Sequence, residues 1–159
     1  MIKLWYNDKG DYMKKFYIIS LLTVIVDRLL KILVSTFLTS KKFYIIKNFF
    51  YVVSTYNEGA AFSSFEGMTF LFIIIAIVSL IYIFYYIKKV GYNNIGFPLL
   101  VGGIVGNLID RILYRSVIDF IGFEIGNYSL PIFNIADMAI VIGAIFILLG
   151  SEKNEVNSR

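Results

Sequence analysis

The chain has 159 residues, 58% of them hydrophobic, 18% aromatic and only 16% charged, with a mean hydropathy of +0.77. That is too little charge to cover a water-soluble globule, so the composition specifies an integral membrane protein. The absence of cysteine and histidine excludes disulfides, thiolate nucleophiles, the usual general base and the commonest zinc ligands, while the net charge of +4 sits beside apolar runs rather than in an aromatic-interleaved patch, which argues against nucleic acid.

Catalysis, if present, must use Asp, Glu, Lys, Ser, Thr or Tyr, and neither a metal nor a cofactor is expected. The first apolar run, 16–38, is long enough to cross a bilayer but carries Asp27, Arg28 and Lys31. These charges, and the lack of a small-residue cleavage site, distinguish it from a removable signal peptide. Asp27 and Lys31 have the i, i+4 spacing of a helical ion pair with the acid first. Lys31 and Ser35 also stand one turn apart, but side chains on one helix face run parallel, which disfavours a serine–lysine nucleophile pair. Met13-Lys14-Lys15 is a plausible alternative start, leaving the role of residues 1–12 open.

The loop 39–69 follows, with a β-branched and aromatic stretch from Phe43 to Tyr56 that predicts a small sheet at the membrane surface. It leads into Asn57-Glu58-Gly59-Ala60-Ala61-Phe62, where Gly59 and the alanines permit close backbone approach and Asn57 can donate and accept. A simple turn explains this motif equally well.

The second span, 70–87, is broken only by Ser79. The third, 95–113, contains Gly102 and Gly106 at the spacing of close helix packing, and places Asn107, Asp110 and Arg111 at i, i+3 and i+4. Here a structural Asp110–Arg111 ion pair competes with a functional role. The connection 114–129 carries Asp119. In the fourth span, 130–150, Asn134 and Asp137 lie one turn apart and face the same way. A carboxylate in or beside a bilayer costs roughly +2.5 to +3.5 kcal/mol on insertion scales, so each is a functional candidate.

Four spans place both termini on one side. Eight Lys or Arg residues belong to that side (Lys3, Lys9, Lys14, Lys15, Lys88, Lys89, Lys153, Arg159), against four on the other (Lys41, Lys42, Lys47, Arg115). Cytoplasmic termini and an outward-facing 39–69 loop are therefore expected. At about 1.5 Å per residue, Asn107 and Asp110 lie about 18 and 22 Å outward along the third span, and Asn134 and Asp137 about 6 and 10 Å inward along the fourth. The embedded polar groups thus converge on the outer half. The fold expected is mainly α: one polytopic domain over 1–159, with four transmembrane helices and a small extracytoplasmic β-rich region.

In order, Asp27-Arg28-Leu29-Leu30-Lys31, Asn57 to Phe62, Gly102 to Arg111, Val117-Ile118-Asp119-Phe120 and Phe133-Asn134-Ile135-Ala136-Asp137 resemble the lipoprotein signal peptidase (signal peptidase II) family over about Met13 to Gly150. The resemblance implies an aspartic endopeptidase of the bacterial cytoplasmic membrane that cuts diacylglyceryl-modified prolipoproteins just before the lipidated cysteine. It assigns the catalytic pair to Asp119 and Asp137, and supporting or substrate-binding roles to Asn57, Gly59, Asn107, Asp110, Arg111, Asn134, Asp27 and Lys31. Arg28 stands where the family usually has glutamine, and Met138 where a small or hydroxyl residue is common. Membrane lipids and the lipidated substrate are the expected partners, and a monomer is the expected state. The competing function is a small proton-coupled transporter or channel, which predicts polar residues at several depths and often an inverted repeat; the apolar second span and absence of a visible repeat disfavour it.

Overall fold

The computed structural model describes residues 2–38, 41–59 and 67–156; Ala60, Ala61, Phe62 and Arg159 lie outside the described residues. The elements are α1 (Ile2–Phe37), β1 (Phe43–Ile46), β2 (Phe50–Asn57), α2 (Thr69–Val90), α3 (Gly96–Tyr114), β3 (Val117–Ile125), β4 (Tyr128–Ser129) and α4 (Ile135–Val156). The architecture is mostly helical with a small antiparallel sheet, as expected.

Helix boundaries fall where the sequence supplies them. Gly91, at φ +95°, ends α2 and donates its N–H to Ile87 O at 2.7 Å, just after Lys88 and Lys89 have placed positive charge at the negative end of the helix dipole. Asn94 Oδ1 accepts from Gly96 N at 2.7 Å at the start of α3, and Pro98 follows in the first turn, where its missing N–H costs nothing. Arg115, in the left-handed region at φ 61°, closes α3 by donating to Arg111 O.

The core is arranged around α3, which packs on α1, α2 and α4, and its glycines set the spacing. A Cβ on Gly102 would come within 2.7 Å of Thr23 on α1, one on Gly103 would overlap the carbonyl oxygen of Ala136 on α4, and one on Gly106 would meet Asp27 Oδ2 at 2.8 Å. Backbones can therefore approach more closely than side chains would permit. At the end of the bundle near Phe16, the core is apolar: Phe16, Ile83, Ile87, Phe97 and Val101.

The outward surface reverses the pattern of a soluble protein. On α1, Tyr17, Ile18, Leu21, Leu22, Ile25, Leu29 and Ile32 are exposed, while Asp27 and Lys31 are fully buried. Among the described residues, Thr69–Val90 and Gly96–Tyr114 are long and apolar enough to cross a membrane, with mean hydropathies of 2.7 and 1.4; Ile135–Gly150 is a shorter apolar stretch.

The sheet has the order β1-β2-β3-β4 with antiparallel neighbours. Half of its strands come from 117–129, which sequence reasoning treats as a plain connection. Tyr51 on β2 sits opposite Gly122 on β3 and fills the space a side chain there would need. Toward the far end of β3, Glu124 accepts from Lys42 Nζ at 2.8 Å and Tyr44 OH at 2.7 Å, linking β1 to β3; these bonds hold its carboxyl below the ordinary range.

Candidate active site

Asp119 is positioned by β3, and β3 is held on both sides. In the β2 pairing, Thr55 lies opposite Asp119 and Asn57 opposite Val117, and Thr55 Oγ1 donates to the Asp119 carbonyl at 3.0 Å. On the other side Phe133 O accepts from Phe120 N and Ile121 N at 3.0 and 2.8 Å, and Phe133 N donates to Ile121 O. Since Phe133 immediately precedes Asn134, this bridge carries the start of α4 to Asp119.

The start of α4 is built by reciprocal capping. Asn134 Oδ1 accepts from Asp137 N at 2.8 Å, and Asp137 Oδ2 accepts from Asn134 N at 3.3 Å. This is the capping-box arrangement, with the acid at the positive end of the helix dipole. The helix begins at Ile135, later than the expected 130: Pro131 and the cap keep the preceding segment extended. Asn134 is therefore the cap rather than a residue within the helix face.

Asn134 touches both aspartates. Besides the capping bond to Asp137, its Nδ2 donates to Asp119 Oδ1 at 2.6 Å. The other Asp119 oxygen, Oδ2, accepts from Asn57 Nδ2 at 2.9 Å, while Asn57 Oδ1 accepts from Gly59 N at 3.0 Å. Gly59 thus closes a turn that aims the Asn57 amide, so the turn and the contact with Asp119 coincide in this motif. Asp137 Oδ1 accepts from Asn107 Nδ2 at 2.7 Å. Asp119 is 3% exposed; Asp137 is half-buried.

Behind these residues lies a charged quartet. Lys31 Nζ, fully buried, contacts Asp27 Oδ2 and Asp110 Oδ2 at 2.8 Å each and Asn107 Oδ1 at 3.0 Å. Asp27 Oδ1 accepts from Ala136 N at 2.9 Å, tying α1 to the first turn of α4. Asp110 also accepts from Ile118 N at 3.2 Å and pairs with Arg28 Nη1. Two cations and two carboxylates cancel, which a buried ion cluster requires.

The Asp110–Arg111 ion pair, one of the two readings the sequence allows, does not form. Consecutive helical residues do not face each other, and Asp110 instead finds Arg28 and Lys31 across the helix interface. Arg111 lies over the Phe72 ring at 5.1 Å and, among the described residues, has no carboxylate within ion-pair distance. Asn107, Asp110 and Arg111 consequently do different jobs despite their common spacing. Met138 is exposed. The roles of Arg28 and Thr55 escape sequence reasoning; the unusual charge at position 28 is visible there, but its partner is not.

Burial pushes the Asp119 carboxyl up from 3.8 to about 6; the Asn57 bond opposes the rise, the charge of Asp137 adds to it, and Asn134 and Lys31 act against it. A carboxyl balanced near neutrality beside a second, more accessible carboxyl is suited to proton exchange with a reacting group.

The signal peptidase (SPase) II family model matches residues 19–152. A lipoprotein signal peptidase of Bacillus pumilus is 35% identical over 139 residues, covering 84% of this chain and 90% of its own length. One from Staphylococcus aureus is 37% identical over 156 residues, covering 92% of this chain and 96% of its own length. Among solved structures, a bacterial membrane enzyme determined by the in meso method at 2.3 Å resolution superposes with a TM-score of 0.82 and 36% identity, over 92% of each chain. A second, determined at 1.9 Å, gives 0.77 and 37% over 86% of this chain and 92% of its own. With the family match spanning most of its length, and the described parts of the five motifs folded around one polar cluster, the chain belongs to the signal peptidase II family.

Proposed function

We propose that this protein is an aspartic endopeptidase that removes the signal peptide from diacylglyceryl-modified prolipoproteins, cutting just before the lipidated cysteine, with Asp119 and Asp137 as its catalytic residues. The observation that carries the assignment is the shared contact with Asn134, whose side chain holds one aspartate and whose backbone N–H holds the other. In the mechanism proposed, one carboxylate takes a proton from water while the water oxygen bonds to the scissile carbonyl carbon, and the protonated partner gives its proton to the carbonyl oxygen. The tetrahedral diol then collapses: the C–N bond breaks as the amine nitrogen receives a proton from the pair, and one diol hydroxyl returns its proton to the pair as the C=O of the new carboxyl group forms. No covalent enzyme intermediate is needed. The single proton belongs to the coupled pair.

The chain acts as one domain of four transmembrane helices, with α1 and α4 crossing beside α2 and α3. The Lys/Arg bias supports cytoplasmic termini, and the sheet and site then belong at the outer face of the bacterial cytoplasmic membrane. A lipid-anchored substrate presents its scissile bond at that depth, with its acyl chains against the exposed apolar helices. A monomer suffices because all the predicted site residues come from one chain. Among the described residues, the buried charges run from the middle of the bundle to the end opposite the apolar core near Phe16, and the lack of a relay through that apolar half supports a peptidase over a proton-coupled transporter.

The test is cleavage of a synthetic diacylglyceryl-cysteine lipobox peptide by the purified protein and by folded Asp119→Asn and Asp137→Asn variants. Cleavage before the cysteine by wild type, with both variants slower by about 10³-fold or more, is expected. Variants with wild-type rates would refute the catalytic pair, and a folded wild type that leaves the peptide uncut would refute the function.

A further inference from the structure

Three asparagine amides point their N–H groups at the two aspartates, and each is aimed by whatever occupies its oxygen. For Asn57 that group is the Gly59 N–H, and for Asn134 it is the Asp137 N–H. Both are backbone donors supplied by local turns. Asn107 has no such turn, because it lies inside α3, where the backbone N–H groups are committed to the helix. Its Oδ1 is taken by the Lys31 ammonium at 3.0 Å, with a second bond from Asn134 Nδ2 at 3.2 Å.

Lys31 has three donors and no acceptor. Two donors meet Asp27 and Asp110, each of which has other donors of its own: Ala136 N for Asp27, and Arg28 and Ile118 N for Asp110. The third reaches toward the site. If the Asn107 amide turned over, its NH2 would face the ammonium and its oxygen would face the Asp137 carboxylate. Both contacts would be repulsive. The lysine therefore selects one of two amide orientations, the one whose Nδ2 holds Asp137 Oδ1 at 2.7 Å.

Building on the peptidase reading, we infer that Lys31 is a positioning residue for catalysis: through its bond to Asn107 it fixes the amide that holds the Asp137 carboxylate in place for reaction, without itself touching substrate. Its partnership with Asp27 and Asp110 stabilises the bundle, while its bond to Asn107 sets the rate of the chemical step.

The test separates these tasks. Asp27→Asn together with Lys31→Met removes an ion pair as a unit. The new amide at position 27 can still accept from Ala136 N, and Asp110 keeps Arg28, so no buried charge is left alone. Measured with the diacylglyceryl-cysteine peptide, this variant should lose about 10-fold to 100-fold in kcat, with KM within about 2-fold, because alignment rather than substrate binding is lost. Asn107→Leu should show the same split. A variant combining all three changes should be no slower than Asn107→Leu alone, since the lysine acts through that amide.

Folded variants with unchanged kcat, losses residing in KM, or losses that multiply in the combined variant would each overturn the inference. If the Asp27→Asn/Lys31→Met protein does not hold its fold, Asp27→Asn/Lys31→Leu, which likewise has no donor for the Asn107 oxygen, takes its place, and Asn107→Leu independently requires the fall in kcat. A wild type that leaves the peptide uncut removes the peptidase reading and this inference with it. A wild type that cuts, beside folded variants of unchanged kcat, removes the inference alone.

Discussion

Asp119→Asn should abolish cleavage and, at alkaline pH, make the protein more stable. The folded carboxyl binds its proton near pH 6 instead of 3.8 because it is buried. The folded state thus holds the proton more tightly than the unfolded chain, so stability falls as pH rises from about 4 through 6 and levels off above. That gap corresponds to about 3 kcal/mol at pH 8 and less than about 1 kcal/mol at pH 4. Asparagine escapes this cost but offers one acceptor oxygen to two donors, Asn57 and Asn134, and losing one of those bonds costs about 1–2 kcal/mol at any pH. The net expectation is a gain of about 1–2 kcal/mol at pH 8 and a loss of about 1 kcal/mol at pH 4. At about 2–4 °C per kcal/mol, thermal unfolding followed by circular dichroism in detergent should put the variant about 4 °C above wild type at pH 8 and below it at pH 4. A shift of the same sign and size at both values would refute the assignment of a buried, proton-hungry Asp119.

Two further substitutions probe the supports of the site. Asn57→Ala removes a hydrogen bond that favours ionised Asp119. The acid limb of kcat/KM should therefore move upward by roughly half to one pH unit; a profile measured from pH 4 to 8 with an unmoved limb would show that Asn57 does not act on the pair. Gly103→Leu would force α3 and α4 apart where Gly103 meets the Ala136 carbonyl. A cost of about 3 kcal/mol or more is expected, seen as a collapse in the yield of folded, detergent-extracted protein, while normal yield and thermal midpoint would refute this account of the interface.

Much of this arrangement is legible in the sequence, for identifiable reasons. The second and third helices are bounded to within a few residues because long, mainly apolar runs end close to Gly91 and Arg115. The β-branched stretch after Phe43 anticipates β1 and β2. The β2 partner, β3, escapes because Val117–Ile125 is interrupted by Asp119, Gly122 and Glu124, although the Gly126-Asn127 turn is a usable signal. The candidate site residues stand out through their ordered motifs and their depth. The partners are harder: Arg28 reaches Asp110 across 82 positions of sequence, a contact that helical spacing cannot reveal. Capping by Asn134 is likewise hidden, because an asparagine within an apolar run looks the same on a helix face as at its first turn.

The buried charges of α1 have a consequence for biogenesis. Asp27, Arg28 and Lys31 leave the ribosome well before Asn107 and Asp110, their partners on α3. In the proposed four-span topology, until α3 arrives the first helix confronts lipid with ionised groups that cost roughly 2.5–3.5 kcal/mol each near the bilayer centre. Its lateral release from the insertion machinery should therefore await the third helix, making entry into lipid a joint event for two segments separated by a whole intervening span. A mutation at Asp110 would then be felt first as a first helix that fails to settle in the bilayer, before any substrate is met.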